Sequence, residues 1–141
     1  MELKRFSDTL DLNSTKNKSK IYLAGGWGKF RDRVIYDTDA EWLNPETMTN
    51  RENWFEAETN AIFECDGVIA WFEKGNPSGF GMTYEMGMAF ALNKPYLLIC
   101  EEPEMLKYKF SMQSKGSEKT FETWEDALYY INTNNWMGIK K

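Results

Sequence analysis

The sequence predicts an α/β fold, a mostly parallel sheet wound with helices on both faces. Residues 21–24, 68–72 and 96–100 are continuous apolar runs without the alternation of a half-exposed strand, so they fit strands covered on both sides. Helical periodicities fall between these runs, and strands that alternate with helices build parallel sheets. At 141 residues, 42% hydrophobic, the chain can close one core without staples. One domain over 20–141 is expected, preceded by a polar extension over 1–19.

The first strand is Ile21, Tyr22, Leu23 and Ala24, ended by the permissive pair Gly25 and Gly26. A short helix over 30–36 follows, with Phe30 and Val34 on one face and Arg31, Asp32 and Arg33 expected outside. Glu41, Trp42 and Leu43 read as a second strand, stopped by Asn44 and Pro45. Thr49 and Glu52 have capping-box spacing for a helix over 50–64. Its apolar stripe is Trp54, Phe55, Ala61, Ile62 and Cys65, and Glu58 falls in the middle of it. Asp66, read as a turn or capping residue, and Gly67 introduce the strand over 68–72.

The next stretch, over 75–93, opens as a turn-rich loop and becomes an apolar helical pattern from Phe80. Met82, Met86, Ala89 and Phe90 have the spacing of a buried face. Between Lys74 and Lys94 the single charged residue is Glu85, on the edge of that face. A carboxylate there is costly unless it is paired, hydrogen-bonded or functional. The strand over 96–100 follows, then a long polar loop over 101–118 and a short strand at Lys119, Thr120 and Phe121. Thr123 and Asp126 cap a closing helix that carries Trp124, Ala127, Leu128 and Ile131 inward. Ligands of such sheets bind outside the carboxyl ends of the strands, where strand order reverses. The loops after Ala24, Leu43 and Phe72 are expected to meet there.

Composition narrows the chemistry. The sequence has no histidine, which removes every mechanism built on Ser-His, Cys-His or a histidine-ligated metal. Cys65 and Cys100 stand in apolar surroundings and read as buried free thiols. A net charge of -5 argues against binding a nucleic-acid polymer. No run approaches the length of a membrane span, and the N-terminus lacks the apolar core of a signal peptide, so a cytoplasmic protein without membrane contact is expected. Glu58 and Glu85, both inward on helices flanking one strand, form a pair suited to nucleophile and proton donor. Glycosidic bonds are cleaved by such pairs. The alternative for each is a partly buried structural glutamate. Gly79 and Gly81 could bring amides to a phosphate or hydroxyl, or merely shape the loop; the third glycine of a dinucleotide fingerprint is lacking. Trp27 is a stacking platform for a base or a core residue. Arg31 and Arg33 are read as a solvated helix face in preference to an anion site.

From residue 20 to 102 the sequence resembles the nucleoside 2-deoxyribosyltransferase family and its nucleotide N-glycosidase relatives. The strand from Ile21 with Gly25, Gly26 and Trp27 is similar to that family's first strand and substrate loop. Leu43, Asn44 and Pro45 resemble the end of its second strand in one branch. Glu58, eight residues before Asp66, matches an acidic position of that branch, and Tyr84-Glu85-Met86-Gly87-Met88-Ala89 is similar to the motif bearing the family's nucleophile. The resemblance implies a flavodoxin-like, doubly wound five-stranded sheet in a homo-oligomer, dimer or larger. It implies Glu85 attacking C1′ of the sugar and Glu58 protonating or orienting the base, with no cofactor and no metal. The substrate-binding residues expected from it are Gly25, Gly26, Trp27, Asn44, Ser78, Gly79, Gly81 and Tyr84. Two departures stand out. Gly79 occupies the position where many transferases carry a base-contacting Asp, and Pro77-Ser78 resembles the loop of nucleoside monophosphate N-glycosidases. The expected activity is cleavage of the N-glycosidic bond of a 2′-deoxynucleoside or its 5′-monophosphate, with transfer to a free nucleobase or to water. The alternatives are a monophosphate N-glycosidase that only hydrolyses and a non-catalytic nucleotide-binding or sequestering module.

Overall fold

The structure, a computed structural model, describes residues 17–141. Most of the extension read over 1–19 lies outside the described residues. Five strands form one sheet: β1 (Lys20–Gly25), β2 (Glu41–Leu43), β3 (Gly67–Phe72), β4 (Tyr96–Cys100) and β5 (Lys119–Phe121). Their order is β2-β1-β3-β4-β5 and every pairing is parallel, the doubly wound sheet that the apolar runs predict and the flavodoxin-like form that the family resemblance implies. The chain leaves β1 for β2 on one side and returns to β3 on the other, so the crevice opens where β1 and β3 end.

Each central strand sends alternate side chains to opposite layers. On β3, Ile69 and Trp71 join the core beneath α1 (Phe30–Asp37) and α6 (Trp124–Asn134), with Val34, Trp124 and Ile131. Val68, Ala70 and Phe72 join the other core, beneath α3 (Trp54–Glu64) and α4 (Gly81–Ala91), with Tyr22, Ile62 and Met86. Thr123 caps α6 as its sequence suggests, its hydroxyl accepting from the Asp126 amide at 3.1 Å. Cys65 and Cys100 are buried free thiols. Among the described residues no helix is long and apolar enough to cross a membrane.

Five local expectations are corrected. The capping box at Thr49 and Glu52 does not form, and α3 starts at Trp54. A short helix α2 (Pro45–Met48), with Asn44 as its side-chain cap, takes the preceding residues; the Thr49 hydroxyl donates back to the Pro45 carbonyl and Asn50 accepts from the Glu52 and Asn53 amides. The segment over 101–118 is not a plain loop. It holds a 3-10 turn (Pro103–Lys107) and helix α5 (Ser111–Gly116), tied down by the Tyr96 hydroxyl donating to the Gln113 carbonyl at 2.6 Å. Phe90 is 62% exposed; the buried face of α4 is Met82, Glu85, Met86 and Ala89. Glu85 therefore lies within that face rather than on its edge, because the face centres one residue position away from Phe90. Finally, Arg31 is 2% exposed, whereas Arg33 lies outside as expected. Trp54 and Phe55, expected in the stripe of α3, are each 52% exposed, because the first turn of that helix projects beyond the layer that covers Ala61, Ile62 and Cys65.

Candidate active site

Three chain segments converge at the crevice. The loop after β1 carries Trp27, whose backbone N–H donates to Ser78 Oγ at 3.0 Å. Ser78 in turn donates to Asn76 Oδ1 at 2.6 Å, and the Asn76 amide reaches back to the Trp27 carbonyl at 3.1 Å. These bonds zip the loop after β1 to the loop after β3. The closeness is strict: a Cβ on Gly26 would lie 2.5 Å from Ser78 Oγ, and Gly25 adopts φ +155° with the Trp71 carbonyl 2.6 Å from where its Cβ would be. Both positions require glycine for packing.

Between these loops and the segment that leads into α3 is a cavity of about 570 Å³. Its floor is Tyr22, Gly25, Glu58 and Glu85, and Ser78 and Gly81 form the side at the start of α4. Trp27, Arg31, Glu46, Asn50, Arg51 and Trp54 complete the lining. A second, largely apolar cavity of about 400 Å³ lies against the same two carboxyl groups, between Trp54, Phe55, Ile62, Tyr84 and Met88. Glu58 and Glu85 thus stand in the partition between a polar and an apolar space.

Glu85 is 9% exposed. The Tyr22 hydroxyl donates to its Oε2 at 2.6 Å. Burial pushes the Glu85 carboxyl up to about 8, as does its hydrogen bond with Glu58 and that group's charge; the Tyr22 hydrogen bond and the charge of Arg31 pull it back. Tyr22 is itself driven upward, by burial and then by the adjacent Glu85, so it remains a donor throughout the working range. A buried carboxyl fixed by a neutral tyrosine, with a second carboxyl lining the same cavity, has the makings of a nucleophile beside an acid–base group.

The other expected site residues fall into two groups. Gly25, Trp27, Ser78 and Gly81 line the larger cavity with the two glutamates, and Trp27 is 58% exposed, at the rim instead of in the core. Gly26, Asn44 and Gly79 are buried behind its lining: Asn44 caps α2 with its side chain accepting from the Glu46 amide at 3.0 Å, and Gly79 packs against the Phe72 ring. Tyr84 lines the apolar cavity, its ring centroid 6.3 Å from that of Phe55. Sequence reasoning passed over Tyr22, Glu46 and Arg51 and set Arg31 aside as part of a solvated helix face. Tyr22 carried a usable signal, since a tyrosine inside an unalternating strand must find a partner for its hydroxyl. Arg31 carried a weak one, its i, i+3 spacing to Val34.

The family model described as Nucleoside 2-deoxyribosyltransferase matches residues 29–121. A 2-desoxiribosyltransferase from Leishmania mexicana has a similar fold, with a TM-score of 0.60 at 22% identity over 80% of this chain and 96% of that one. A CMP N-glycosidase from Clostridium botulinum gives a TM-score of 0.56 at 19% identity over 82% of this chain and 98% of that one. No curated protein matches the sequence.

Proposed function

The chain belongs to the nucleoside 2-deoxyribosyltransferase family, and from that premise we propose that it cleaves the N-glycosidic bond of 2′-deoxynucleosides or their 5′-monophosphates, passing the sugar to another nucleobase or to water. The observation that carries this reading is the buried carboxyl of Glu85, held by the Tyr22 hydroxyl and lining one cavity with Glu58.

For the chemistry Glu85 must be ionised, and Glu58 stands beside it in the cavity to protonate or orient the base. A Glu85 oxygen attacks C1′ as the C1′–N bond breaks, and the electron pair of that bond leaves on the base nitrogen. Glu58 delivers its proton to the departing base, and the transition state has the oxocarbenium character that a nearby carboxylate stabilises. The product of this half-reaction is a glycosyl ester on Glu85. In the second half a free base or water attacks C1′, Glu58 accepts its proton, and Glu85 leaves as carboxylate. Trp27 offers an exposed indole face at the rim for a planar base. Ser78 and Gly81 stand at the side where the sugar's 5′ group would lie. Trp54, Phe55 and Tyr84, all more than half exposed beside the site, favour assembly into a homo-oligomer, which sedimentation would reveal as a dimer or larger species.

The deciding experiment is incubation with deoxynucleosides and with their 5′-monophosphates, with and without a second free base. Base exchange identifies a transferase and free sugar a hydrolase. Bound but unchanged ligand would overturn the proposal in favour of a binding module.

A further inference from the structure

Arg31 is a buried charge that the proposed chemistry does not use. It sits in α1 at 2% exposure, and its side chain turns back beneath the loop after β1. Its Nε donates to the Leu23 carbonyl at 3.2 Å, Nη2 to Gly25 and Nη1 to Gly26, both at 2.8 Å. Nη1 also lies 3.5 Å from Glu46 Oε2 in α2. The guanidinium carbon is 4.4 Å from the Phe30 ring centroid and 5.5 Å from that of Trp27. One planar fork therefore satisfies three carbonyls at the end of β1 and supports the indole at the cavity rim. A helix face bound for solvent has no need of such a cage. Taking a permanent charge out of water is expensive, and the carbonyls and Glu46 offset only part of that cost.

The same charge is felt across the cavity. Arg31 from α1 and Glu85 from α4 line one cavity with Tyr22 from β1 and Glu58 from α3, and Arg31 is paired with Glu46 from α2. We infer that Arg31 is a positioning residue of this site: its fork holds the loop carrying Trp27 in shape, and its fixed positive charge lines the same cavity as the Glu85 carboxyl. The inference rests on the reading of Glu85 as nucleophile for its functional meaning, but its physical content is independent of turnover. Two roles of one side chain separate under substitution. Lysine keeps the charge and loses the fork; methionine keeps much of the length and loses both.

The test combines the pH profile of base release with a direct carboxyl titration. The Glu85 carboxyl carbon is followed by NMR against pH in the free protein, for the wild type, Arg31→Lys and Arg31→Met. In Arg31→Met the Glu85 midpoint should rise by roughly half a pH unit or more, and the acid limb of kcat/KM should move with it. In Arg31→Lys the midpoint should hold, while KM rises about five-fold through the loosened Trp27 loop with kcat little changed. Identical pH behaviour of the two variants, or an unmoved midpoint in Arg31→Met, would overturn the inference. Should Arg31→Met fail to fold, Glu46→Gln supplies the opposite perturbation at a partly exposed position. Relieving Arg31 of its counter-charge should lower the Glu85 midpoint, and an unchanged or raised midpoint would sink the charge role. If the wild type released no base from any substrate, the proposed function would fail while the titrations still decided the place of Arg31.

Discussion

The two faces of the sheet are equally buried and differently built. Beneath α1 and α6 the core is apolar, with the Trp71 and Trp124 rings stacked at 5.6 Å and Phe30 5.4 Å from Trp71. Its polar atoms are tied to fixed partners at the margin: Trp124 Nε1 donates to Asp37 and Trp71 Nε1 to Glu101, each at 2.7 Å. Beneath α3 and α4 the core contains Tyr22, and Glu85 occupies a position that the helix pattern reserves for an apolar side chain. On one face the carboxyl groups sit at the margin, each accepting from an indole N–H. The other holds a carboxyl whose burial becomes costly as soon as it ionises. A sheet wound on both sides lets a protein keep stability on one layer and place a strained acid in the other.

The sharpest way to separate the layers is Glu85→Gln. The amide preserves the shape and can still accept from the Tyr22 hydroxyl, but it cannot attack C1′. Base release should fall by about 10³-fold or more, measured by chromatography of the freed base, with the folded state retained in circular dichroism. Full activity in this variant would end the nucleophile assignment. The matching blow to the opposite layer is Trp124→Ala, which should cost about 3–5 kcal/mol in denaturant titrations and leave kcat at low temperature within about two-fold of wild type. A large loss of kcat with little loss of stability there would show that the α1 and α6 layer also serves the site.

The same Glu85→Gln variant sharpens the comparison through stability. An acid whose folded value is raised contributes stability that is whole below its unfolded value, near 4.5, and lost as pH climbs through the folded value near 8. Glutamine has nothing to lose over that window. Relative to wild type, the melting temperature of Glu85→Gln should therefore rise between pH 5 and 8.5, by about 5 °C or more at the upper end. Parallel curves from pH 5 to 8.5 would mean that burial does not penalise the ionised Glu85.

How far the sequence speaks differs along the chain for physical reasons. Unalternating strands announce themselves, because a strand covered on both faces must be apolar at every position; β4 is read to both ends, β3 is one residue longer and β1 one residue longer at each end. Glu58 and Glu85 are visible as charges in apolar stripes. The segment from Asn44 to Asn53 is harder, since Thr49, Asn50 and Glu52 suit two competing caps, and Pro45 with Asn44 decides between them by starting a helix earlier. Helix α5 is set by the Tyr96 hydroxyl and the Phe110 ring packed on Phe72, partners that no local pattern reveals. Arg31 is the instructive miss. Its neighbours Asp32 and Arg33 are solvated, so composition suggests a solvated run, and only the carbonyls at the end of β1 make it a buried clamp.

The finest probe of the contrast between the layers is Tyr22→Phe, a change of one oxygen in the floor of the site. Tyr22 lies in the middle of the sheet, paired in register with Leu43 and Val68, so the ring will keep its place and the core its packing. What is lost is the donor at 2.6 Å from Glu85, and with it a pull that favours the ionised carboxyl. The Glu85 value should move above about 8, so the acid limb of kcat/KM should move to higher pH and the rate at pH 7 should fall by about ten-fold. Raising the pH should restore part of that loss, because the missing component is ionisation and not geometry. The corresponding deletion on the other face, Trp71→Phe, also removes a hydrogen-bond donor, the indole N–H held by Glu101, and should leave the pH profile where it was. A shift in both variants would mean that the two layers share one electrostatic field, and a shift in neither would remove Tyr22 from the account of Glu85.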